Sequence, residues 1–170
     1  MKPLADCRLY AFVDTAWLRE RAPETVAQQL CDGGADLIQL RAKGSPPDTV
    51  RRLAERILPI TRRARVGLVV NDHPAIALET GADFCHLGQE DFFDAGHRHV
   101  SELQRAGRAL GIGLSTHSPA QAQRALDAGA DYLAFGPVFA TGTKPAAKPA
   151  TLDYLRWAAD PNNGNGNGSN

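Results

Sequence analysis

The chain lacks the features that would place it in several large classes. Its 170 residues include only three cysteines, Cys7, Cys31 and Cys85, with no CxxC spacing among them. An odd set without paired spacing supports neither a disulfide framework nor a thiolate metal site, and reads as reduced thiols in a cytosolic protein. No excess charge of either sign exists: Lys+Arg and Asp+Glu each number 19. Nothing therefore recommends nucleic acid or an acidic membrane surface as a partner. No apolar run approaches the ~20 residues of a membrane span. The opening Met1-Lys2-Pro3-Leu4-Ala5-Asp6 has no apolar segment of the signal-peptide kind. The expected location is cytoplasmic.

What is present is regular. Gly-Ala-Asp followed by apolar residues occurs at Gly34-Ala35-Asp36, Gly81-Ala82-Asp83 and Gly129-Ala130-Asp131, at intervals of 47 and 48 residues. Each copy ends a helix on glycine and enters a strand through a polar residue. Two strand–helix units fit each interval, so helices and strands alternate and the sheet is parallel with right-handed crossovers. Strands are expected at Leu9–Asp14, Leu37–Arg41, Gly67–Val70, from Asp83 onward, Leu110–Leu114 and Tyr132–Phe135. Helices are expected at Pro23–Asp32, Pro47–Arg63 with a kink at Pro59, Pro74–Thr80, Arg98–Gly107, from Ser118-Pro119, and Thr151–Ala159.

The ends of the strands carry the chemistry, because α/β folds place ligands at the carboxyl-terminal rim. The third strand runs out onto Asn71-Asp72 and the fourth onto Gln89-Glu90-Asp91. Adjacent strands lie about 4.8 Å apart, so Asp72 and Asp91 are expected at one rim. Two oxygen ligands with room for waters suit Mg²⁺ carrying a phosphate, although an Asp after a strand also serves as a helix cap. Gln39, Arg41 and Lys43 alternate to one side of the second strand, where a planar fork and a point charge can clamp phosphate. The fifth strand ends in Ser115-Thr116-His117-Ser118, with hydroxyls for phosphate and Ser118 as the helix cap. The sixth leads into Gly136-Pro137-Val138-Phe139-Ala140-Thr141-Gly142-Thr143-Lys144, small and hydroxyl residues able to wrap an anion.

Gln39-Leu-Arg-Ala-Lys43, Val70-Asn-Asp72, His86-Leu-Gly-Gln-Glu-Asp91, Leu114-Ser-Thr-His117 and Gly136-Pro-Val-Phe-Ala-Thr-Gly-Thr-Lys144 together resemble thiamine-phosphate synthase, in order, from Leu9 to about Trp157. The resemblance implies a TIM barrel and a transferase of thiamine biosynthesis. It would join hydroxymethylpyrimidine diphosphate to thiazole phosphate and release diphosphate, with Mg²⁺ as cofactor. By the same resemblance, Asp72 and Asp91 are the magnesium ligands. Gln39, Arg41, Lys43, Asn71, Ser115 and Lys144 hold the pyrimidine diphosphate, while Thr141 and Thr143 face the thiazole phosphate. Arg41, Lys43, Ser115 and Lys144 form the catalytic set. The nucleophile is a neutral ring nitrogen that needs no general base, so His73, His86 and His117 stay outside that set. The sister thiazole tautomerase family departs from this pattern at the acidic end of the fourth strand and at Thr-x-Thr-Lys, both intact here.

Six strand–helix units are about two short of the eight that fill roughly 250 residues in a closed barrel. Residues 1–159 are therefore expected to form an incomplete barrel domain, C-terminally truncated. The Asn/Gly-rich 160–170 should be a disordered tail. Loops after strands seven and eight commonly bind phosphate, so the pyrimidine-diphosphate half of the site is expected here and the acceptor half is expected to be incomplete. An open edge invites pairing with a second copy. The alternatives to a working synthase are a non-catalytic binder of the phosphate ligand, a thiazole tautomerase-like protein and an inactive fragment.

Overall fold

The structure, a computed structural model, describes residues 1–105, 107–139, 149–160 and 163. Strands and helices alternate: β1 (Tyr10–Asp14), α1 (Pro23–Asp32), β2 (Leu37–Arg41), α2 (Pro47–Ala64), β3 (Gly67–Asn71), α3 (Pro74–Thr80), β4 (Phe84–Gly88), α4 (Gln89–Asp94), β5 (Gly111–Thr116), α5 (Pro119–Asp127), β6 (Tyr132–Phe135) and α6 (Leu152–Ala159). Strand order follows the chain from β1 to β6. The pairings β1–β2, β2–β3, β3–β4 and β5–β6 are parallel. Proline stands at the start of α1, α2, α3 and α5, where its missing N–H leaves no helical bond unmade.

Two compact units can be distinguished. The first comprises Met1–Leu87 with Ser101–Ile112, the second Gly88–Val100 with Gly113–Asn170. In the first, β2 and β3 are buried through their first four residues, as strands covered on both faces must be. Helix α2 turns Val50, Ala54, Ile57, Leu58 and Thr61 inward at helical spacing. Ile57 is fully buried, worth about 1.5–3 kcal/mol by area. The helix continues past Pro59, which lies on the exposed face, to Ala64. In the second unit, Ala122, Ala150 and Tyr154 form a buried cluster with Leu133, Phe135 and Trp157 against it. The Tyr154 hydroxyl meets the Thr116 hydroxyl at 2.6 Å.

The Gly-Ala-Asp repeat has a visible physical purpose. Its glycines hold φ of 86°, 92° and 80°, the left-handed region that only glycine enters without strain. The aspartates then tie neighbouring strands at their starts. The Asp36 N–H donates to the Leu9 carbonyl, and the Asp36 carbonyl accepts from Gly67 N–H. Asp83 repeats this one register on, donating to Leu68 and accepting from Gly111. The side chains add to it. Asp36 accepts from Arg8 N–H at 2.8 Å and Leu9 N–H at 3.1 Å, and Asp83 from Leu68 N–H at 2.9 Å.

The Lys2 ammonium at 2.5 Å, followed by those two backbone donors, holds the Asp36 carboxyl well below the ordinary carboxylate range. A folded-state pKa depressed below the unfolded value gives stability that is complete above the unfolded value. That stability is lost as pH falls below it toward the folded one. Urea unfolding followed from pH 6 to pH 2 should therefore show a smaller acid-driven loss in Asp36→Asn than in the parent chain. Parallel acid limbs for the two proteins would contradict this assignment.

Several elements differ from the sequence reading. The helix expected over Arg98–Gly107 is not there; the described part of that stretch holds a single 3₁₀ turn at Val100–Leu103. Gly107, taken as a helix stop, instead has φ of 80° in a tight turn whose flanks Arg105 and Arg108 bridge each other. The helix after β4 is α4, which begins directly at Gln89 and buries Phe92. Gln89-Glu90-Asp91 is therefore a first helical turn and not the end of a strand. β5 also extends to Thr116, which puts Ser115 inside the strand. No helix among the described residues is long and apolar enough to cross a membrane.

Candidate active site

In the first unit, β1, β2 and β3 bring five of the expected residues to their carboxyl-terminal ends. Register places Phe12 beside Gln39, Asp14 beside Arg41 and Gln39 beside Val69. Gln39 is only 3% exposed, and its Nε2 donates to the Tyr10 hydroxyl at 2.8 Å. That bond orients the amide and leaves Oε1 without a hydrogen bond among the described residues. Arg41 Nη1 donates to Asp14 Oδ2 at 2.6 Å, with both side chains nearly covered. The expected phosphate clamp is thus already held by a carboxylate of β1.

Lys43 and Asp72 meet one strand further on. Lys43 Nζ stands 3.5 Å from Asp72 Oδ2, with the side chains 51% and 32% exposed. A partly solvated contact of that length contributes little, so both groups stay available to a ligand. Asp72 has φ of 63°, a conformation that Asp and Asn tolerate better than other side chains but that remains strained. Its N–H is anchored on the His86 carbonyl at 2.9 Å. Strain of this kind gathers at ligand sites, where surrounding structure holds it in place. Asn71, the last residue of β3, is half-buried, and its side-chain amide makes no hydrogen bond among the described residues. Beneath them Cys85 is fully buried. Desolvation first, and the Asp72 charge second, push its thiol far up, so it stays protonated.

In the second unit, Asp91 lies in the first turn of α4 and is exposed. Its carboxylate folds back over Gly88, where an added Cβ would stand 2.6 Å from Oδ2. It makes no hydrogen bond or ion pair among the described residues. Two residues earlier, Gln89 Oε1 is buried without a hydrogen-bond partner there. Ser115 is 9% exposed and registers with Ala134 of β6. Ser118 caps α5, accepting from Gln121 N–H at 3.3 Å. His117 Nδ1 pairs with the Gly136 carbonyl, and its N–H donates to Gln121 Oε1 at 2.7 Å; both contacts secure the loop. Thr141, Thr143 and Lys144 lie outside the described residues.

Comparison with known proteins decides the family. The family described as "Thiamine monophosphate synthase" matches residues 9–163. The chain belongs to the thiamine monophosphate synthase family. Among its relatives is the thiamine-phosphate synthase of Lawsonia intracellularis, 40% identical over 153 residues, covering 89% of this chain and 68% of that protein. The thiamine-phosphate synthase of Thermus thermophilus is 41% identical over 155 residues, 90% of this chain and 71% of its own length. A solved structure, the thiamine phosphate pyrophosphorylase from Pyrococcus furiosus, superimposes with a TM-score of 0.73 at 29% identity, over 88% of this chain and 68% of that one. The fold is accordingly the TIM-barrel type of the thiamine monophosphate synthase family, built from parallel (β/α) units.

The sequence reading missed Tyr10 and Asp14, the β1 residues that grip Gln39 and Arg41. A signal for them existed. Positions 10, 12 and 14 share one strand face by period-two alternation. A part-covered Arg41 at the neighbouring strand end also needs an acidic partner.

Proposed function

We propose that this chain is a transferase that joins hydroxymethylpyrimidine diphosphate to a thiazole phosphate and releases diphosphate. The observation that carries this reading is the Lys43–Asp72 contact at 3.5 Å, on the strained Asp72 backbone, in a member of this family. Departure of diphosphate from the pyrimidine methyl carbon gathers negative charge on the leaving group. Lys43 and Arg41, with Lys144, would attract that charge more strongly in the transition state than in the ground state. Gln39 and Asn71 would fix the pyrimidine diphosphate, Ser115 would donate to a phosphate oxygen, and Thr141 and Thr143 would face the thiazole phosphate. The attacking atom is a neutral ring nitrogen, so no base has to remove a proton before the bond forms.

The donor set suits a hard divalent cation. Asp72 and Asp91 offer carboxylate oxygens, neither closed off by a short protein hydrogen bond among the described residues. Among the described residues no three His, Cys, Asp or Glu side chains gather into a cage. Mg²⁺ does not require one, since one or two carboxylates and substrate phosphates commonly hold it. Asp72 and Asp91 would hold Mg²⁺, which when bound supplies positive charge to the departing diphosphate.

The test is diphosphate release, measured with both substrates, with each alone, and with a chelator. Release that needs both substrates and is abolished by chelation supports the reading. A folded chain that binds the pyrimidine diphosphate without releasing diphosphate would replace it with a non-catalytic binder.

A further inference from the structure

The side chains that grip Gln39 and Arg41 both stand on β1, and neither belongs to the set proposed to touch substrate. Tyr10 and Asp14 share one face of that strand, beside the face of β2 that carries Gln39 and Arg41. Asp14 is fixed at both oxygens. Oδ1 accepts from Ala16 N–H at 3.0 Å and Oδ2 from Arg41 Nη1 at 2.6 Å. The backbone reinforces the link, since Thr15 N–H donates to the Arg41 carbonyl at 2.9 Å.

An ion pair whose side chains are only 11% and 12% exposed is poorly solvated. Removing Asp14 would take from a poorly solvated guanidinium the carboxylate that faces it from β1. The guanidinium is also planar, with its donors in a rigid fork. Fixing one nitrogen on Asp14 therefore sets the direction of the others.

We propose that Asp14 is a positioning residue, orienting the Arg41 guanidinium to receive a phosphate group of the diphosphate substrate. This inference rests on the functional reading given above. Two effects of Asp14 oppose each other. Its charge weakens the pull of Arg41 on an anion, while its grip removes the entropy that a free Arg side chain would lose on binding. The two separate by substitution. Asp14→Asn keeps one oxygen for Arg41 but removes the charge and turns its NH2 toward the Ala16 N–H. Asp14→Ser can still accept from Ala16 N–H, which protects the turn, but is too short to hold Arg41.

The probe is inorganic diphosphate with Mg²⁺, titrated calorimetrically into the whole chain. Asp14→Ser should weaken binding by about tenfold. Asp14→Asn should stay within about threefold of the parent, the charge and orientation effects offsetting. In a double-mutant cycle, Asp14→Ser should weaken Arg41→Ala no further, because the residue acts through Arg41. A parent chain that binds diphosphate and an Asp14→Ser variant that binds it equally would overturn the positioning role alone. So would additive losses in the cycle, or an Asn variant as weak as the Ser variant. A parent chain that gives no heat with diphosphate and Mg²⁺ would overturn the functional reading and this inference with it.

Discussion

Asp72→Asn and Asp91→Ala should each lower Mg²⁺-dependent diphosphate release by about a thousandfold or more, since a bound divalent cation supplies several kcal/mol of charge stabilisation. The substitutions are chosen for their surroundings. Asp72 sits at φ of 63°; Asn tolerates that conformation, whereas Ala adds about 1–2 kcal/mol of backbone strain and would mix unfolding with lost chemistry. Asp91 is exposed and without protein partners among the described residues, so alanine removes its oxygens and little else. Thermal melting should shift by no more than a few degrees in either variant. Activity lost together with the fold would remove the argument, and undiminished turnover in both would contradict the metal assignment outright.

The largest structural effect is expected at Gly111. A Cβ added there would stand 2.1 Å from Phe84 Cδ1 and 2.3 Å from Cε1. Those atoms belong to the ring of a residue only 5% exposed. A ring in a packed core has no free end to swing away. The Gly111 N–H is meanwhile held on the Asp83 carbonyl at 3.0 Å, so the strand cannot retreat without giving up a sheet bond. Overpacking of this kind costs about 1–3 kcal/mol and sometimes more, and Gly111→Ala should be at the upper end. Chemical denaturation measures it directly. Adding Phe84→Leu, which opens space at the point of collision, should recover part of the loss. An alanine variant as stable as its parent would show that the two strands are not packed as described.

The frame of the fold was legible because it is punctuated by residues with one strong conformational preference. Pro23, Pro47, Pro74 and Pro119 begin helices, and Gly34, Gly81 and Gly129 occupy the left-handed region between a helix and the next strand. The stretch after β4 lacks such marks. α4 has neither proline nor a side-chain cap at its start, and its acidic first turn reads equally well as the polar end of a strand. Gly107 supplied a false stop, because a positive φ serves a tight turn as well as a helix end.

The site divides in the same way. Gln39, Arg41, Lys43, Asn71 and Asp72 were legible as a set because alternation and strand-end position place them without tertiary knowledge. Asp14, the last residue of β1, was overlooked: alternation gives its face, but register is what sets it beside Arg41. Neither could sequence reveal that Lys43 and Asp72, one read as a phosphate donor and the other as a metal ligand, stand 3.5 Å apart in the protein. That distance belongs to the geometry of the β2 and β3 ends, which no local pattern records.

The central claim is that carboxylates on this chain hold a divalent ion which in turn engages the diphosphate of the pyrimidine substrate. The most direct measurement is calorimetric titration of hydroxymethylpyrimidine diphosphate into the whole chain, with Mg²⁺ and then with chelator. Saturable binding that weakens by at least about tenfold when the metal is withdrawn is the predicted result. Equal affinity with and without Mg²⁺, or the same metal dependence in Asp72→Asn as in the parent, would contradict it.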